Sequence, residues 1–145
     1  MYIMKNIALA FCLSILLSSC SSGSSVSAIP PVITGLFSGP FESANGLLSG
    51  TFIMNLAEDN DGNIQGTLQV GFDQAVEASC VAGLNTTISG SVSGFNVSLT
   101  TGEGEEGGGS ITFQLTSADN TLSGTYVTSG ICSNFTGTGT VSLAR

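Results

Sequence analysis

From residue 32 onward, apolar residues recur at every second position in short runs that are broken by Gly, Asn and Asp. That period predicts strands with one buried face. A five-residue unit recurs within these runs: an apolar residue, a small polar one, Gly, usually Thr or Ser, and a second apolar residue. The copies are 37–41, 48–52, 64–68, 88–92 and 122–126, with a weaker one at 135–139. In every copy the Gly shares the parity of the apolar residues and so points inward, where it permits the sharp coiling that a small closed sheet needs. Two further runs lack the Gly, namely Phe95, Val97 and Leu99, then Ile111, Phe113 and Leu115. About eight strands are therefore predicted, joined by turn-like segments such as Asp59-Asn60-Asp61-Gly62-Asn63 and Ala118-Asp119-Asn120. Beyond the opening stretch there is no 3.6-residue apolar stripe with caps. The expected fold is all-β, an up-and-down antiparallel barrel, with a β-sandwich as the alternative.

The opening stretch follows a different pattern. Lys5 supplies a positive flank to an apolar run, Ile7 to Leu17, that is too short to span roughly 30 Å of hydrocarbon as a helix. The run closes on Leu17-Ser18-Ser19-Cys20, which resembles the lipobox of bacterial lipoproteins at each of its four positions. The resemblance covers only the leader. It implies cleavage before Cys20, a diacylglyceryl group on the Cys20 sulfur and an acylated new N-terminus. Two or three acyl chains give stable anchoring, because each buried CH₂ contributes about 0.8 kcal/mol. Ser21, in place of an acidic residue, favours the outer membrane within that family's pattern. Ser21 to Pro31 is Ser-rich and ends in a Pro pair, which reads as a tether. The expected division is a signal peptide at 1–19, a tether at 20–31 and one domain at 32–145.

Composition narrows the chemistry. The chain of 145 residues has 10 acidic and 2 basic side chains, with no His and no Trp. Without His there is no Ser-His triad, no imidazole base and no histidine metal site. Once Lys5 leaves with the leader, Arg145 stands alone against ten carboxylates, a net charge of −9. Such a surface does not neutralise phosphates, so nucleic acid is not an expected partner, and attachment to a membrane falls to the lipid chains on Cys20. No cofactor motif is present, and the expected class is non-catalytic.

The remaining candidates are few. With Cys12 in the leader and Cys20 lipidated, Cys80 and Cys132 are left as a pair in an oxidising compartment. They fall in the connections after the third and seventh strands, which in a meander emerge at the same end. The acidic loop carrying Glu103, Glu105 and Glu106 is a weak cation-site candidate beside the simpler reading of a solvated loop. Asp59, Asp61 and Asn63 open like a calcium loop, but Gly62 comes too early and an EF-hand's twelfth position would be Val70, so an Asx-rich hairpin turn is expected. The triplets at Asn85, Asn96 and Asn134 read as ordinary turn and strand sequence in a bacterial chain.

Phe52, Leu68, Phe113 and Tyr126 are either core or the lining of a cavity. Two functions follow. In the first, a solid barrel acts as a structural module or meets another envelope protein or polymer. In the second, the barrel carries a small apolar ligand, as lipocalin-like barrels do, in room left by inward Gly50, Gly66, Gly90 and Gly124.

Overall fold

The computed structural model describes residues 29–73, 84–102, 109–130, 135 and 137–145. Eight strands follow in chain order: β1 (Gly35–Ser43), β2 (Ser49–Glu58), β3 (Asn63–Phe72), β4 (Leu84–Ser93), β5 (Asn96–Thr101), β6 (Ser110–Ala118), β7 (Thr121–Ser129) and β8 (Gly137–Ala144). Each pairs antiparallel with its chain neighbour, and β8 returns to β1, giving a closed barrel in the order β1 to β8. The sandwich alternative is thereby excluded. Closure at the β1–β8 seam pairs Ser38 with Ala144 and Phe41 with Val141. Pro40 lies between these pairs, where it has no N–H to give to a ladder.

Two ends follow from the meander. The chain enters β1 at a proximal end that also holds the β2–β3, β4–β5 and β6–β7 turns and Arg145. The distal end holds the β1–β2 turn and the longer connections after β3, β5 and β7. At the proximal β2–β3 turn the Asp59 carboxylate accepts hydrogen bonds from the Asp61 and Asn63 backbone N–H groups at 2.9 and 2.8 Å and from Asn63 Nδ2 at 2.9 Å. Gly62 in that turn has φ +79°, a conformation that favours glycine. The expected Asx-rich turn is what forms. Among the described residues no group of three or more acidic, Cys or His side chains is arranged to hold a metal ion.

Inward positions build one core, in which Phe37, Phe52, Met54, Leu68, Leu99, Phe113, Leu122 and Leu143 are all essentially inaccessible to solvent. The outer wall carries Ser, Thr, Asn and Gln, linked in places by contacts such as Gln114 Nε2 to Ser98 Oγ at 2.9 Å. Leu36 and Val127 are its exposed large apolar strand residues. A membrane-spanning barrel has the opposite polarity, with an apolar band roughly 25 Å tall facing lipid. The wall of this barrel is built to face water.

Three details differ from the sequence reading. Phe95 falls in the β4–β5 turn and is 37% exposed, because β5 starts one residue later; its carbonyl accepts from the Ser117 N–H at 2.8 Å. Phe135 lies before β8 in the connection from β7, yet it is buried, because its ring turns into the distal end of the core.

The third difference concerns the glycines. A Cβ on Gly66, Gly90 or Gly124 would overlap the backbone carbonyl of Asn55, Ser98 or Gln114 on the neighbouring strand, and one on Gly50 would overlap the carbonyl of Gly71. The missing side chains let the wall coil until adjacent backbones fill their place. They leave no room inside the barrel at those positions.

Candidate functional site

The sequence candidates separate into two groups. Cys20, Cys80, Cys132, Glu103, Glu105 and Glu106 lie outside the described residues. Phe52, Leu68, Phe113 and Tyr126 all lie in the barrel interior with 0–1% exposure. Three of these four belong to an aromatic cluster beneath the distal end. Phe52 packs edge-on against Phe113 and Tyr126, with centroids 5.3 Å apart in each case. Phe41 stacks on Phe52 at 4.2 Å. Phe135 closes the cluster from above, 5.6 Å from Phe41, 5.2 Å from Phe72 and 6.1 Å from Tyr126. Its backbone is held from below, since buried Thr128 Oγ1 donates to the Phe135 carbonyl at 2.7 Å.

The cluster contains one polar atom that stands apart. Among the described residues, the Tyr126 hydroxyl is the buried side-chain polar atom with no hydrogen-bond partner. Burial, with a smaller contribution from the nearby Glu42 carboxylate, pushes its pKa up to about 12. The hydroxyl therefore stays protonated at neutral pH and is neither a base nor a nucleophile there.

Outside the same end, two shallow grooves flank Glu42 at the β1–β8 seam. One, of about 330 Å³, is lined by Glu42, Ser43, Thr125, Thr138, Gly139 and Thr140 among others. The other, of about 390 Å³, includes Pro40, Glu42, Ser49, Asp73, Thr140 and Ser142. A single cross-strand row produces them: Thr125 pairs with Thr140, Thr140 with Glu42, and Glu42 with Ser49. Ser49 Oγ in turn donates to Asp73 Oδ2 at 3.0 Å. Strand order alone puts Glu42 and Asp73 at the same distal end, but the row itself is not legible in the sequence, because only the closure of β8 onto β1 sets Thr140 beside Glu42. Hydroxyls and carboxylates on an open wall can accept and donate hydrogen bonds to a partner.

No family model matches the chain, and no curated protein or solved structure matches it either. The fold and its surface define the class: a small, eight-stranded meander barrel with a polar outer wall and an aromatic and aliphatic core.

Proposed function

We propose that this chain is a lipid-anchored lipoprotein of a bacterial envelope, held at the outer membrane by acyl chains on Cys20, with a non-catalytic barrel as a structural or interaction module. The observation that carries the reading is the barrel interior. Aromatic and aliphatic side chains occupy it, and neighbouring backbone stands where the inward glycines lack side chains. Contacts with a partner then fall to the polar outer wall and the distal rim. A closed barrel offers no free strand edge, so a partner docks through side chains and not by strand addition. The tether at 20–31 meets the proximal end, which leaves the distal end and the Glu42 row facing away from the anchor.

A carrier of a small apolar ligand is the second reading, and the unpartnered Tyr126 hydroxyl within the aromatic cluster is what favours it. Native mass spectrometry of the Cys20→Ser protein, released into solution from its own envelope, separates the two. A co-purifying envelope protein or polymer is the expected result, and a stoichiometric small molecule in the barrel would replace the first reading by the second. Palmitate labelling tests the anchor independently: label is expected on the wild-type chain and lost in Cys20→Ser. An unlabelled wild type would remove the anchor from the reading.

A further inference from the structure

Residues 32–34 precede β1 and stand outside the strand ladder, yet they are fixed at the proximal end of the barrel. Ile33 is 1% exposed and joins the core, while Val32 beside it is 65% exposed. Their backbone is held from two sides. On one side the Ile33 N–H donates to Glu58 Oε2 at 2.6 Å, and the Glu58 N–H donates to Thr34 Oγ1 at 3.0 Å. On the other, Arg145 Nη2 donates to the Val32 carbonyl at 2.9 Å.

Arg145 is itself anchored twice. Its N–H donates to the Asn120 carbonyl in the β6–β7 turn at 2.9 Å, and its guanidinium lies 5.0 Å from the centre of the Phe37 ring. Its Nε also passes 3.3 Å from where a Cβ on Gly35 would stand, so a side chain there would crowd the clasp. Arg145 is the one cation among the described residues.

We infer that residues 32–34 form a releasable strap across the proximal end of the barrel, with Glu58 and Arg145 as its two clasps. Each of the three bonds that hold it runs through a side chain, so the strap opens without breaking any pairing between strands. Opening withdraws Ile33 from the core and lengthens the chain ahead of β1 by three residues, about 10 Å at 3.3–3.6 Å per extended residue. In the tethered reading, which this use of the strap rests on, the added length sets how far the distal rim reaches from the membrane. The strap itself requires no lipid, so it is testable apart from the anchor.

Amide exchange on the Cys20→Ser chain reads it directly. In the wild-type barrel sequence, the Ile33 amide is expected to be protected and to exchange through an opening insensitive to low urea, while β2 and β6 amides follow urea-dependent global unfolding. Glu58→Ala and Arg145→Ala should each speed exchange at Ile33 by about tenfold or more, the equivalent of one charge-assisted hydrogen bond, keep the Ile33 opening insensitive to low urea, and speed the globally exchanging β6 amides by no more than the same factor. The inference is overturned if Ile33 exchanges as fast as unstructured chain, if its urea dependence merges with that of the strands, or if neither variant changes it. Should the variants fail to fold, the wild-type urea dependence alone decides. Absence of palmitate on Cys20 would remove the leash and leave the strap standing.

Discussion

The hydroxyl of Tyr126 fills the place that a side chain on Gly139 would need, and the carbonyl of Glu42 across the β1–β8 seam reaches the same spot. One glycine thus lets a tyrosine from β7 and a backbone from β1 meet beneath β8. Gly139→Ala is expected to lower stability by about 1–3 kcal/mol, the usual cost of overpacking. Adding Tyr126→Phe should not restore it, because the phenyl carbon that bears the hydroxyl and the Glu42 carbonyl would still collide with the new methyl. Thermal or urea unfolding of the single and double variants checks both statements.

Tyr126→Phe alone removes a buried hydroxyl that has no partner. Such a group carries a desolvation penalty of about 1–3 kcal/mol, so the variant should be at least as stable as the wild type at neutral pH. The pH dependence has a definite sign. The folded pKa is raised from 10.0 to about 12, so the native state favours the neutral phenol. That preference is fully present below about pH 10 and is lost as pH rises through about 12. Urea unfolding between these pH values should show a decline in the wild type that the phenylalanine variant lacks.

Gly66→Ala and Gly90→Ala distinguish a coiled wall from a hollow interior. Room beside the glycine would make each change neutral or stabilising. The Asn55 and Ser98 carbonyls stand in the way of the new methyl, so each should instead destabilise by about 1–3 kcal/mol or prevent folding. Urea midpoints decide.

Asp59 holds the β2–β3 turn through its hydrogen bonds with Asn63 and Asp61, and these keep its carboxyl below its ordinary value of 3.8. The stabilisation is present above that value and is lost as pH falls through the lower folded value. Asp59→Ala should lower the melting temperature at pH 7 and flatten the loss of stability below pH 4. Asp59→Asn keeps an oxygen that can accept from the two backbone N–H groups and should lie between the alanine variant and the wild type.

The connections that carry Cys80 and Cys132 begin and end beside Phe72 and Phe135, whose rings pack edge to face at 5.2 Å. In the envelope-protein reading proposed above, a disulfide between the two cysteines is the expected state. It closes a loop of about fifty residues, for which the chain-entropy model gives roughly 4 kcal/mol. Mass spectrometry after alkylation without reductant should find neither thiol modified. Two alkylated thiols would remove the pairing.

The barrel was legible in the sequence because its strands alternate with period two and each pairs with the next in the chain. The runs at 48–52, 64–68 and 122–126 needed only local pattern to be placed. Phe95 and Phe135 were misplaced for one reason. Parity states which face a residue takes if it lies in a strand, but not where the strand begins, and each of these two residues lies just outside one.

The glycines show the same limit more sharply. Their inward direction could be read from their parity with Phe52, Leu68 and Tyr126, but whether they leave a void depends on how closely the next strand approaches. That distance is set by coiling of the whole sheet.

By itself the sequence determined the all-β class, the number and order of the strands, the inward glycines and the lipobox-like leader, since each is written in residues close together in the chain. Only the tertiary structure decided what stands beside those glycines. It also joined Glu42 to Thr140 across the seam, buried Phe135 and set Arg145 against Val32. Closure brings together residues up to 113 positions apart, and no local period records that.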